Sequence, residues 1–251
     1  MEPDENIQQD GEAITSFTTR AVNVFTSPGE LFTEMASAPV QRSSWLIPYL
    51  LMVVMVGLVV YSITNNPALY DGIMREQSAE MQKRVDAGDM TQAQADRAAD
   101  FMNPTMFLAV GILGGAIAMT AVMFLVPLIL WGLSKGILHY AGGYKKMLEV
   151  YGITNVVAVA GTLVSLIMMN LLNSAYAQPG GAFFIRDIYD KDNFMHNVMA
   201  SMNVFTIWQI AVIGLGISAV SGKKAANGLA VSFGVWAVWV VIASFLGWGA
   251  R

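Results

Sequence analysis

Five long apolar runs divide the chain: residues 45–63 (WLIPYLLMVVMVGLVVYSI), then about 106–131, 150–172, 204–221 and 228–248. Each approaches or exceeds the roughly 20 residues with which a helix crosses about 30 Å of hydrocarbon, and none contains an ionisable residue. The pattern predicts an all-α integral membrane protein with five transmembrane helices, residues 45–251 forming the membrane domain.

Outside the runs the pattern changes. Residues 1–12 are acidic and poor in apolar side chains, a composition that predicts a disordered tail. From 13 to 44 the apolar positions recur at helical spacing: Ile14, Phe17, Ala21, Val22 and Phe25, then Leu31, Phe32 and Met35. Between the two sets, Ser27 is placed as a helix N-cap, Pro28 fills the first helical position and Glu30 can reach back to the Ser27 amide. Two amphipathic helices with a Ser27–Pro28 corner are expected to lie flat on the membrane surface.

The loop 70–102 also has helical spacing, in Ile73, Met74, Met81 and Val85, broken at Gly88–Asp89 and resumed after a Thr91–Gln94 capping box. It predicts a helical hairpin outside the membrane, either a solvated spacer or a docking surface. The second long loop has Pro179, Gly180 and Gly181 as a turn, and Phe183, Phe184 and Tyr189 as interfacial aromatics.

Composition agrees with the membrane assignment: 13% of residues are charged, about half the share usual in soluble domains, and 55% are hydrophobic. A net charge of −4 offers no basic footprint for nucleic acid, and two His with no Cys leave neither zinc-knuckle nor disulfide chemistry. No cofactor is expected. Orientation follows from Lys and Arg close to the spans: Arg42, Lys135, Lys145, Lys146, Lys223 and Lys224 share one side of a five-span chain. The N-terminus is therefore expected in the cytoplasm and the C-terminus outside, with only Arg251 opposing.

Catalysis inside the membrane has recognisable requirements. There is no GxSxG elbow and no HExxH pair, and "GGYKK" at Gly142–Lys146 lacks the phosphate-loop spacing. No nucleophile and base can be paired, so an enzyme is not expected. The spans do carry neutral polar residues. Asn155, Thr162, Ser165 and Asn170 stand in the third and Thr206, Gln209 and Ser218 in the fourth, serving either to join helices or to line a narrow path for a small neutral substrate. Glu149, at the mouth of the third span, is read as a partner of the helix macrodipole, with a proton site as the alternative.

Small residues predict close helix packing at Gly111 and Gly115, at Gly132 and Gly136, and along Gly214, Ser218 and Gly222. In "FMHNVMASM", Met195, His196, Met199 and Met202 combine thioethers with an imidazole, the donor set a cuprous ion prefers, against the plainer reading of methionines filling gaps in an amphipathic helix.

Four segments in fixed order carry a family resemblance: "VFTSPGELFTEMASAP", "SWLIPYLL", "GGYKKMLEVYG" and "NVFTIWQIAVIGLGIS". Together they resemble the bacterial branch of the Yip family, the Ypt/Rab-interacting membrane proteins, over nearly all of the chain from about residue 17 except the hairpin. The resemblance implies five spans, a cytoplasmic N-terminus and, for a bacterial member, residence in the cytoplasmic membrane. Eukaryotic members are associated with Golgi trafficking and small GTPases and carry DLYGP and YGYS signatures. Only "VYG" at Val150–Gly152 corresponds to these, so GTPase binding is not carried across. The expected function is that of a non-enzymatic scaffold or accessory subunit, in contact with lipid and with a membrane-protein partner or further copies of itself. The alternatives are a permease for a small neutral or lipophilic molecule and a lipid-shaping protein acting through residues 12–38.

Overall fold

The computed structural model describes residues 15–101 and 103–247, and every regular element among them is helical. The tail 1–12, Ile14, Met102, Trp248 and Arg251 lie outside the described residues. In chain order the helices are α1 (Phe17–Thr26), α2 (Pro28–Ser37), α3 (Ser43–Asn65), α4 (Pro67–Asp86), α5 (Gln92–Phe101), α6 (Pro104–Leu138), α7 (Tyr144–Leu172), α8 (Gly181–Ile185), α9 (Phe194–Ser201), α10 (Val204–Val220) and α11 (Ala225–Phe245).

Asparagine starts half of the helices beyond α3. Asn66 and Asn103 each cap a helix whose first residue is proline, Asn66 accepting from the Ala68 amide at 3.1 Å and Asn103 from the Met106 amide at 3.0 Å. Asn193 and Asn203 do the same for α9 and α10. A short side chain that accepts the otherwise orphaned first amides, followed where possible by a residue that has no amide to satisfy, defines these starts locally. α6 and α7 stop on residues in the left-handed region, His139 at φ 55° and Asn173 at φ 50°.

Four helices, α3, α6, α7 and α11, are long and apolar enough to cross a membrane. α6 has 35 residues and α7 has 29, so at about 1.5 Å per residue both outreach the hydrocarbon. α10 is equally apolar but has 17 residues, a rise of about 26 Å. α7 is the hub of the bundle, packed against α3, α6 and α10, while α10 packs on α11.

The small residues divide into those that meet a helix and those that do not. Gly111 and Gly115 face Val60 and Val56 of α3, and Gly214 faces the Leu229 backbone and Ser232 of α11. Gly132 and Gly136 have no neighbour within 4 Å where a side chain would stand, so no helix among the described residues packs on that pair. Gly222 is not a packing glycine either: it sits at φ 61° in the turn after α10, where left-handed backbone is the requirement. Another tight glycine lies outside the small-residue pairs. At Gly152 a Cβ would run into the Trp45 backbone of α3.

The N-terminal corner also differs from expectation. Pro28 does occupy the first turn of α2, but the Ser27 hydroxyl makes no capping bond. Its amide is already used, donating to the Asn23 carbonyl at 2.9 Å to close α1, and Glu30 stays exposed. Nor do the two helices turn their apolar stripe to lipid. Val24, Leu31, Phe32 and Met35 are fully buried against Val150, Ile153 and Val157 of α7 and Val212 of α10. The face of α1 is rotated from the predicted one: Phe17, Arg20 and Val24 point inward, whereas Val22 and Phe25 are exposed. A helical period shows that an apolar stripe exists, but it cannot distinguish a lipid neighbour from a protein one.

At the opposite end, α4 and α5 form the hairpin, joined through Gly88 at φ 80°. Thr91 and Gln94 cap each other reciprocally, the Thr91 amide donating to Gln94 Oε1 at 2.9 Å and the Gln94 amide to Thr91 Oγ1 at 3.3 Å. α4 is pinned to the chain between α7 and α9: Lys83 pairs with Asp192 at 2.7 Å, Lys191 with Glu80, and the Tyr176 hydroxyl donates to the Glu76 carboxylate.

Candidate functional site

Two polar features stand on the hub helix α7, one at each end. At the end that carries α1 and α2, Arg20 and Glu149 are both fully buried and joined at 3.1 Å. Arg20 also donates to Ser44 Oγ at 3.1 Å and to Glu34 at 3.1 Å. Glu149 Oε1 accepts the Gln41 amide at 2.9 Å, and its Oε2 accepts from Lys146 at 2.8 Å. Lys146 completes the set by donating to the Met35 and Ala38 carbonyls, at 2.7 and 2.8 Å, where α2 ends.

Two cations and two carboxylates balance, and the donors of Lys146 are fully used. Burial raises the Glu34 carboxyl, but hydrogen bonds from the Thr15 and Arg20 side chains outweigh it and hold the group below its ordinary value. This cluster corrects the reading of Glu149. It is the sixth residue of α7, past the first turn where the macrodipole acts, and its partners are side chains from α1 and α7 and a backbone amide. Arg20, Ser44 and Lys146 are functional neighbours that the sequence pattern does not mark. The available signal was Arg20 lying at helical spacing between Phe17 and Val24, on the face that turned out to be buried.

Towards the hairpin end, a cleft of about 280 Å³ opens between α7 and α10, with Val59 of α3 on one wall. Its polar lining is Thr162 and Ser165 of α7, Thr206 and Gln209 of α10, and Gln178 and Asn203 from the flanking loops. Two helical faces that the sequence presents separately are thus brought opposite one another. They approach closely because Gly161 lies against Phe205, where a Cβ would stand 2.6 Å from the Phe205 Cβ. The cleft ends at a bridge in which Gln209 Nε2 donates to Asn155 Oδ1 at 3.2 Å, Asn155 itself donating to the Tyr151 carbonyl at 3.2 Å. Beyond that bridge Tyr151, Ile213 and Ile217 are buried and packed in one cluster.

The remaining predicted positions lie elsewhere. Asn170 joins α7 to α3, its amide donating to Ser62 Oγ at 2.6 Å. Ser218 clamps the α10–α11 turn, donating towards the Lys224 and Ala225 carbonyls at 3.1 Å and accepting the Gly228 amide at 2.9 Å. His196 Nδ1 accepts the Asp190 amide at 3.0 Å and its ring stacks on Tyr189, while Met195 and Met202 are exposed.

Chemically, the cleft is neutral. None of its lining residues is a His, Asp, Glu, Lys or Arg, so nothing there can activate Ser165 or Thr206 as a nucleophile, and what remains is hydrogen bonding to an uncharged group. The ionic cluster fastens α1 and α2 to the bundle.

No curated protein and no solved structure matches the chain significantly. One family model, described as the Yip1 domain, matches residues 22–249 and so runs from α1 through every helix described above. The chain belongs to the Yip family and is a multi-pass membrane protein.

Proposed function

We propose that this protein works by binding, as a non-enzymatic scaffold or accessory subunit within the membrane. One observation carries the reading: the neutral cleft is blind. It stops at the Asn155–Gln209 bridge, above packed side chains, and the far end of the bundle is closed by α1 and α2 and their buried ion pairs. A blind neutral recess suits the docking of a group held in place better than the passage of one. The lipid-shaping alternative loses its apolar face to the protein interior, since Leu31, Phe32 and Met35 are fully buried.

In this reading α10 is a fifth span, placing the termini on opposite sides of the membrane. The positive residues Arg42, Lys145, Lys146, Lys223 and Lys224 argue for the α1–α2 end as the cytoplasmic one and for the cytoplasmic membrane of a bacterium as its home. The hairpin then stands outside, available to a partner.

Crosslinking in native membranes followed by affinity purification tests the proposal. A partner recovered reproducibly in fixed stoichiometry is the expected result. Recovery of this chain alone, together with flux of small neutral solutes into reconstituted vesicles, would overturn it in favour of a permease.

A further inference from the structure

The cleft between α7 and α10 holds hydrogen-bonding groups that the protein does not use. Among the described residues, the Ser165 and Thr206 hydroxyls and the Gln178 side-chain amide have no hydrogen-bonding partner, and Gln209 Oε1 accepts nothing. Two hydroxyls elsewhere in the spans, Ser134 of α6 and Ser244 of α11, also lack a partner, but neither lines the cleft. Thr120 and Thr162 each bond to the carbonyl four residues back, at 2.7 and 2.9 Å, which is how a hydroxyl in an apolar medium is ordinarily satisfied. Thr206 stands in the first turn of α10 and has no such carbonyl within its helix, and Ser165 is turned to the cleft instead. Polar groups left unmatched beside an apolar medium cost free energy, so several converging on one recess mark a place for a complementary group.

The chemistry of that group can be narrowed. No charged side chain lines the cleft, so a phosphate or ammonium would be left without a counter-ion in low dielectric. The flanks at this level, Leu163, Val164, Val204, Ile207 and Trp208, are exposed and apolar, which makes the approach to the cleft a lipid-facing one. A volume of about 280 Å³ takes a glycerol with its ester carbonyls but not two folded acyl chains, which would lie outward along those flanks.

We infer that the cleft is a binding site for the hydroxyl and ester head of an uncharged glyceride lipid, held by Ser165, Thr206, Gln209 and Gln178. This rests on the reading of the protein as a binding protein and names one ligand class for its recess.

The test uses the full chain in phosphatidylcholine vesicles with a photoreactive, clickable diacylglycerol as probe, and labelled peptides are identified by mass spectrometry. Label is expected to concentrate on residues 158–169 and 203–209. Unlabelled diacylglycerol should compete, while phosphatidylglycerol at the same concentration should not. Thr206→Val with Gln209→Leu should lower the labelling at least fivefold, and the nearly isosteric Thr206→Val alone at least twofold, guarding against a double variant that misfolds. Asn170→Leu, outside the cleft, should leave labelling unchanged. Label spread over outward surfaces such as Leu113 and Ile117 in proportion to exposure, equal competition by phosphatidylglycerol, or labelling untouched by Thr206→Val would overturn the inference. A protein partner recovered from native membranes is independent of this outcome, so the two readings fail separately.

Discussion

Arg20 of α1 and Glu149 of α7, 129 residues apart in sequence, meet at 3.1 Å with both side chains fully buried. Each is further bonded, Arg20 to Ser44 and Glu34, Glu149 to Lys146 and the Gln41 amide, so neither charge is left without a partner. A buried pair of this kind adds little net stability compared with an apolar pair of the same shape, yet breaking it from one side is costly. Arg20→Ala is expected to destabilise the protein by about 3–5 kcal/mol, whereas the double variant Arg20→Met with Glu149→Met should recover a large part of that. Denaturation in mild detergent measures both. Limited proteolysis between α2 and α3 should show α1 and α2 released in the single variant only.

Gly152 and Gly132 offer a direct comparison of two helix glycines. Gly152 is pressed against the Trp45 backbone, which cannot move aside as a side-chain tip can, so Gly152→Ala should cost about 1–3 kcal/mol and loosen α3 from α7. Gly132 has open space where the new methyl would go, and Gly132→Ala should be neutral or slightly stabilising. Melting temperatures of the two variants side by side decide the matter.

The hairpin should be pH-sensitive at both extremes. The hydrogen bond from Lys191 holds the Glu80 carboxyl below its ordinary value, and that from Lys83 does the same for Asp192. A depressed carboxyl contributes stability that is fully present above its ordinary value, about 4, and is lost as pH falls below it. Lys83 is raised by its bond to Asp192, so its contribution is present below about pH 10 and lost above. Fluorophores on α4 and on the 187–192 loop should report close approach between those limits and separation below about pH 4.

Ser218 makes three contacts across one turn, with Lys224, Ala225 and Gly228. Ser218→Ala leaves those groups short of a partner at a buried position and is expected to cost about 1–3 kcal/mol, weakening α10 against α11. Hydrogen exchange at residues 225–229 should rise in the variant and stay at its parent rate in Gly222→Asn, which keeps the left-handed turn.

Much of the architecture is local and therefore readable from the chain. An apolar run needs no tertiary partner to be recognised, so α3, α6, α7 and α11 follow from composition and length alone. The Thr91–Gln94 box and the glycine turn of the hairpin are settled by residues within four positions of each other. The polar face of Asn155, Thr162 and Ser165 was equally visible, because a helical period fixes which residues of one helix share a side. By contrast, the same reasoning misplaced the face of α1, since its stripe takes in Val22 and Phe25, which are exposed, and passes over Arg20, which is buried.

What the sequence by itself determined is the long apolar helices, their membrane affinity and the neutral character of the residues inside them, since each depends on near neighbours and on transfer from water. Only the tertiary structure decided which faces meet. It set the polar side of α7 opposite that of α10 to make a cleft, and turned the stripe of α1 and α2 onto α7 and away from lipid. It also gave Glu149 a cation from the far end of the chain. Contacts between residues more than a hundred positions apart depend on how whole helices pack, and the pattern along any one helix carries no record of its neighbour.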